Sequence, residues 1–236
     1  MSHSVRIGIL GDFNPEFRSH HATNDALQHA AAKLKVKLQS EWIATPSVLQ
    51  PHAQKMLERF DGLWASPGSP FLGTCGGVQY TLIECARNVL GIKDADTAEN
   101  DSGSKNIIIY PVECAVPNRA PGAPKLSGAG PEIRLRPGSY LQSLYLADTV
   151  VEEFFCNFEA NPEFEWCSIE AGFPVTARGP KREVRAIESP THRFSPATLF
   201  QPQLSSKPEK PHPLVLGFVQ SAADWKRKRL DDGILA

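Results

Sequence analysis

The stretch Phe71-Leu72-Gly73-Thr74-Cys75-Gly76-Gly77-Val78-Gln79 holds one thiol in a Gly-x-Cys-x-Gly core. An apolar run, Pro70 to Leu72, leads into it. A helix-like stretch, 78–89, leads out, with Leu82, Cys85, Ala86 and Val89 on one face. The pattern reads as a strand, a sharp turn and a helix, with Cys75 at the corner. Gly73 and Gly77 carry no Cβ, so strand and helix can pack closely on either side of the thiol. The corner residue is expected in a strained backbone conformation. Sγ then sits at a helix N-terminus, where the dipole and free N–H groups favour thiolate over thiol. The same N–H groups, that of Gly76 first, can hold a developing oxyanion. The chemistry is nucleophilic attack through sulfur. A small buried cysteine in a glycine-rich turn is the alternative, and the flanking strand and helix argue against it.

Such a corner needs elements to position it, and the chain supplies them. Residues 5–10 are apolar at nearly every position, as in a strand buried on both faces of a parallel sheet. A helix capped by Thr23 or Asn24 runs to about Leu34, with Ala26, Leu27, Ala30, Ala31 and Leu34 inward. It follows a polar loop, 13–21. Residues 36–42 read as a second strand and 62–65 as a third. Between them 46–60 reads as a helix or a turn and helix, with Val48, Leu49, Met56 and Leu57 inward. This alternation predicts an α/β fold, a doubly wound, mostly parallel central sheet with flanking helices.

The sequence resists at one point. Only 66–70 separates the third strand from the Phe71 strand, whereas parallel neighbours usually need a crossover of a dozen or more residues. An antiparallel hairpin, a deletion, or a crossover lying outside the numbered sequence would each account for it, and the last is favoured. Beyond Gly91 comes an acidic loop, then a strand at 106–110, then a loop at 111–131. Segments 132–135, 139–141, 150–157, 174–178, 183–188 and 197–200 read as strands, making a smaller antiparallel sheet in the second half. A short helix is expected over 166–173, and a last helix over 214–226, capped by His212. Residues 1–236 are read as a single domain.

The totals exclude several classes. A net charge of −1 gives no reason to expect nucleic acid or an anionic membrane surface as partner. No apolar run reaches the length of a membrane span, and the first residues lead directly into a strand, so no signal peptide is expected. Five cysteines at irregular spacing, 75, 85, 114, 156 and 167, argue against a disulfide framework. No CxxC pair or zinc-type cluster is present, so no metal is expected, and a reducing cytoplasm is the natural compartment. The basic run Lys226-Arg227-Lys228-Arg229 reads as a solvated tail.

At the level of motifs, the corner from Pro70 to Gly77 followed by Gln79 resembles the nucleophile elbow of class I (triad-type) glutamine amidotransferases. The run Ala197-Thr198-Leu199-Phe200-Gln201-Pro202-Gln203-Leu204-Ser205-Ser206, with His212-Pro213-Leu214, is similar to the C-terminal signature of the CTP synthase branch of that family. Residues 151–161 (VEEFFCNFEAN) resemble a strand of the same branch, and Pro67-Gly68-Ser69 resembles its oxyanion loop. Gly11-Asp12-Phe13-Asn14-Pro15 is similar to proteins related to the CTP synthase C-terminal region. The resemblance covers nearly the whole chain. It implies a class I glutamine amidotransferase-like, flavodoxin-like fold standing alone, with no synthase domain before it. It implies Cys75 as nucleophile toward a small amide or amino-acid substrate, forming a thioester. It also implies Gly68, Ser69, Gly76, Gln79 and Glu159 in oxyanion and substrate binding. No cofactor is implied, and the partners are further copies of the chain or a separate synthase.

The chain departs from the family at the base. Where the family has His-Pro-Glu, this sequence has Gln201-Pro202-Gln203. Glutamine has no titratable group near neutral pH and cannot take the thiol proton. The family's His-Arg before Tyr-Glu is Cys156-Asn157 before Phe158-Glu159. A relocated base is therefore expected. His20 and His21 lie after the first strand, at the carboxyl edge where such sheets place their sites, with Glu16 or Asp12 to orient them. Asp12, Glu16 and Arg18 also suit a small polar ligand. His192 is a lesser candidate. The expected function is hydrolysis or transfer of a small amide or acyl group by Cys75. The alternatives are a degenerate domain that binds without turnover, and a glutamine-hydrolysing subunit that passes ammonia to a synthase.

Overall fold

The computed structural model describes residues 4–64, 70–112 and 124–234. Contacts divide the chain into two compact units, 1–72 with 192–195 and 202–236, and 73–191 with 196–201.

In the first unit, β1 (Val5–Leu10) lies between β2 (Leu38–Ile43) and β3 (Gly62–Trp64), all parallel. β4 (Phe71–Thr74) pairs with β3 through Leu63↔Phe71 and Trp64↔Leu72, also parallel. The hairpin explanation for the short connection is thereby excluded. Six residues, 65–70, join the two strands. Residues 65–69 themselves lie outside the described residues.

Helix α1 (Arg18–Leu34) starts earlier than the sequence predicts. Its N-cap is Phe17, which makes no side-chain capping bond, so no capping residue marks the start. Thr23, expected as the cap, instead sits inside the helix and donates its hydroxyl to the Ser19 carbonyl at 2.9 Å. Residues 18–21 are therefore helical rather than loop. Ala26, Leu27, Ala30 and Ala31 are buried as expected. The segment after β2 is a 3₁₀ turn (Thr45–Leu49) followed by α2 (Ala53–Leu57). Val48, Met56 and Leu57 pack against Ile43, Phe60 and Leu63. Leu49, expected inward, is 81% exposed, because the turn stops before its face can be covered.

The second unit begins within β4. Gly73 and Thr74 pair in parallel with Ala197 and Thr198. Helix α3 (Gly76–Glu84) follows and widens into a π turn over Cys85–Val89, closed by Leu90 N–H donating to the Cys85 carbonyl at 3.0 Å. The wider turn advances fewer degrees per residue than an α-helix. It keeps Cys85 and Ala86 buried and turns Val89, expected inward, out to 59% exposure. β5 (Ala95–Thr97) runs parallel to β6 (Asn106–Pro111). β7 (Leu126–Ala129) lies where the sequence reads only loop. After β8 (Ile133–Leu135), residues 139–141 open α4 (Tyr140–Tyr145) rather than a strand. Ser139 caps it by accepting from Gln142 N–H at 3.0 Å, a bond worth about 1 kcal/mol. β9 (Thr149–Val150), β10 (Glu153–Cys156), β11 (Phe158–Ala160), α5 (Glu165–Glu170), β12 (Val175–Arg178), β13 (Val184–Ile187) and β14 (Ala197–Thr198) complete the unit. From β14 the pairing continues antiparallel through β13, β12, β8 and β9. β10 pairs antiparallel with β7, and β11 with β6.

The pleat of β10 buries Phe154 and Cys156 and leaves Phe155 57% exposed. Phe154 meets the Phe200 ring edge-on at 6.2 Å and the Arg185 guanidinium at 5.5 Å. A Cβ on Gly130 would overlap the Phe154 ring.

The chain closes with α6 (Pro213–Asp231) in the first unit. The basic run is not a solvated tail. Lys226 and Arg229, three apart, share one face of α6. Lys226 Nζ binds Asp61 Oδ2 at 3.1 Å and the Ser4 carbonyl at 2.9 Å. Arg229, 8% exposed, donates to the Phe60 and Glu58 carbonyls. The α/β architecture with parallel strands, flanking helices and antiparallel strands in the second half agrees with the sequence. Among the described residues, no helix is long and apolar enough to cross a membrane.

Candidate active site

Cys75 stands alone between β4 and α3, with φ 52° and ψ −109°. That positive φ is a conformation L residues rarely hold, and surrounding bonds impose it. Gly73 N–H donates to the Pro196 carbonyl at 3.1 Å and Cys75 N–H to the Thr198 carbonyl at 2.8 Å. On the other side the Cys75 carbonyl accepts from Val78 and Gln79 N–H, starting α3. Strand hydrogen bonds and a helix start thus fix the corner from both ends, as the glycine pattern predicts. A Cβ built on Gly76 meets nothing within 4 Å, so the corner is open on that side.

The sulfur faces a second thiol. Cys75 Sγ lies 2.6 Å from Cys156 Sγ and 3.6 Å from the Phe155 carbonyl. Cys156 is 4% exposed, whereas Cys75 is only partly buried. The hydrogen bond from Cys156 pulls the Cys75 thiol below the usual range, with the Gln201 side chain and the Gly76 N–H acting the same way. Burial and the charge of Glu99 oppose them. Cys156 moves the other way, first because its proton is held toward Cys75 and then because it is buried. The pair therefore favours a thiolate on Cys75 and a thiol on Cys156. A bond between thiols 81 residues apart leaves no local signal in sequence. The one available sign was a cysteine standing where the resembling family has a histidine.

Gln201 is 5% exposed and is a hydrogen-bond partner of the Cys75 sulfur. Its backbone N–H donates to the Glu153 carbonyl at 2.8 Å. Gln203, also buried, lies in the short 3₁₀ turn Pro202–Leu204 of the first unit. Gln79 Nε2 donates to the Phe158 carbonyl at 3.0 Å, tying α3 to β11. Glu159 is 4% exposed and accepts from Arg185 Nη1 at 2.7 Å. Arg185 was not singled out in the sequence, and its partner explains why a carboxylate can be buried there. Gly68 and Ser69 lie outside the described residues.

His20 and His21 belong to the first unit, in the first turns of α1. His20 Nδ1 accepts from Asn14 N–H at 2.9 Å, and the ring packs on Trp42 at 4.7 Å. Burial, then the neighbouring His21, lowers its pKa. His21 Nε2 bonds the Pro15 carbonyl at 2.8 Å. Glu16 is exposed, and its backbone N–H donates to Asn14 Oδ1. These hydrogen bonds tie the loop before α1 to its first turns. His192 is exposed, and His212 caps α6 by accepting from Leu214 N–H at 3.1 Å. Among the described residues, no three His, Cys, Asp or Glu side chains are grouped to hold a metal.

No family model matches the chain. Curated relatives do. It is 31% identical to CTP synthase of Pyrococcus abyssi over 252 residues, covering 96% of the chain and 46% of the relative. It is 31% identical to CTP synthase of Pyrococcus furiosus, with 97% and 46% covered. The glutaminase domain of Trypanosoma brucei CTPS, solved with bound acivicin, superimposes with a TM-score of 0.82 at 24% identity, over 94% of each chain. The chain is a relative of CTP synthase with the class I glutamine amidotransferase-like fold. It spans about half the length of the CTP synthases it matches.

Proposed function

We propose that this CTP synthase relative hydrolyses or transfers a small amide or acyl group through Cys75, whose thiolate is held by the Cys156 thiol in place of a histidine. The observation that carries the reading is the 2.6 Å contact between the two sulfurs at a corner with positive φ. A catalytic thiol needs its proton removed or stabilised elsewhere. Cys156 and the Gly76 N–H supply that stabilisation here. The Cys75 thiolate adds to the carbonyl carbon. The leaving nitrogen takes the proton held by Cys156 and departs as an amine. Water then cleaves the thioester, giving up its proton to Cys156 and releasing the carboxylate. The relation to CTP synthase supports an amide substrate, and glutamine is the first to test. Gln79 and Glu159 are proposed to bind it, with the Gly76 N–H on the oxyanion side.

A second reading, a domain that binds a ligand or partner without turnover, is favoured by the amides at Gln201 and Gln203. One experiment separates the two. Purified protein is given glutamine and a set of small primary amides, and carboxylate and ammonia are measured. Release that falls by about 1,000-fold or more in Cys75→Ser supports the nucleophile. Release from glutamine alone would favour a subunit feeding ammonia to a synthase. No release from any amide, with Cys75 unreactive to iodoacetamide near neutral pH, supports the non-catalytic reading.

A further inference from the structure

We infer that Cys75 and Cys156 form a reversible dithiol–disulfide couple that reduces a small hydroperoxide, with Cys75 attacking and Cys156 resolving. The two sulfurs are 2.6 Å apart, about half an ångström beyond a covalent S–S bond of about 2.05 Å. Both are free thiols in the structure. Cys156 is held in place by the pleat of β10, whose four residues are each paired to β7. Cys75 is held by the strand bonds that fix the corner. The sulfurs have only that half ångström to close for a bond to form between them.

Their surroundings divide the roles. Cys75 is partly buried with an open side at Gly76, so a small oxidant can reach it. Cys156 is buried. Reactive redox cysteines combine thiolate character, accessibility and a resolving thiol beside them. Cys75 has all three, and its lowered pKa agrees with the thiolate.

The chemistry balances without a cofactor. The Cys75 thiolate attacks one peroxide oxygen, the O–O bond breaks, and sulfur gives up two electrons. The products are the Cys75 sulfenic acid and an alkoxide or hydroxide, which is protonated to alcohol or water. The Cys156 sulfur then attacks the sulfenic sulfur. The S–O bond breaks, hydroxide leaves with the Cys156 proton as water, and the disulfide closes. Two small thiols, or one dithiol, then return both cysteines to the reduced state and are themselves oxidised to a disulfide. The couple rests on the Cys75 thiolate proposed above, not on the thioester. The odd cysteine count argues against a structural disulfide framework, and this pair is no such framework. It is a reaction centre.

The test uses the whole reduced protein. Iodoacetamide labelling near neutral pH first asks whether Cys75 is reactive. A second sample receives one equivalent of hydrogen peroxide and is digested without reductant. The expected result is loss of two titratable thiols per chain and a cross-link between the Cys75 and Cys156 peptides, reversed by dithiothreitol. Cys85 should remain a free thiol. In Cys156→Ser the cross-link should vanish and dimedone should trap a sulfenic acid at Cys75. Alkylation of Cys75 without any 75–156 cross-link after peroxide overturns the couple while leaving the nucleophile standing. Absence of both overturns the couple and the nucleophile together. The wild-type map decides even if the variant does not fold.

Discussion

Arg185 donates to Glu159 at 2.7 Å, and the two side chains are 3% and 5% exposed. Arg185 also reaches Glu183 at 3.2 Å and lies over the Phe154 ring. Breaking such a buried pair leaves an uncompensated charge and costs about 3–5 kcal/mol. Arg185→Leu is expected to lose that much in urea denaturation. Arg185→Leu with Glu159→Leu should recover most of it, because removing both charges removes the penalty. A double variant no more stable than the single one would show that packing, not charge, governs the site.

The reactivity of Cys75 should depend on pH in a defined direction. Its pKa is lowered chiefly by the Cys156 hydrogen bond. Alkylation should therefore reach half its maximal rate below the free-thiol value of 9.0. Cys156→Ala removes the donor, so the midpoint should move upward. The measurement is the rate of iodoacetamide labelling at Cys75 in reductant across pH. An unchanged midpoint in the variant would assign the thiolate to the helix end instead.

Cys85 should make the fold sensitive to alkali. Burial, then the charges of Glu84 and Cys167, push its thiol up to about 11 from 9.0. A group whose folded pKa is raised contributes its full stability below the unfolded value. That contribution is lost as pH rises through the folded value. The urea midpoint should therefore fall between about pH 9 and pH 11, with up to about 3 kcal/mol from this residue. Cys85→Ala should be less stable at pH 7 yet show a flatter decline over that window.

The corner itself stores strain. Cys75 holds φ 52° and ψ −109°, where glycine is at ease and other residues are not. Cys75→Gly should be more stable than Cys75→Ala by about 1–3 kcal/mol, the reverse of the usual order for these residues. Thermal or urea denaturation of the two variants checks it. Equal stability would mean that the backbone relaxes once the sulfur is gone.

The first half of the chain was legible because its signals are local. Residues 5–10 are apolar throughout and form the strand predicted, and the glycines around Cys75 mark the turn that is found. Errors arose where local signals compete. Ser139 began an apolar, aromatic run that reads as a strand, yet its hydroxyl caps a helix. Phe17 gives no sign of a cap, so the sequence predicts a start for α1 six residues beyond the one found. The basic residues at 226–229 looked solvent-seeking, but Asp61, 165 residues before Lys226, draws two of them inward. The corner thiol was found from its own neighbours in sequence, whereas its partner arrives on β10 from far along the chain. Chemistry that depends on a long-range pairing does not appear in any window of residues.

Gly130 carries a consequence for the sulfurs. It lies in none of the strands and touches neither thiol, yet the Phe154 ring fills the place where its side chain would be. An alanine there would press on that ring, which shares one buried face of β10 with Cys156. One methyl group, remote from the corner, is thus expected to disturb the strand that carries the second thiol.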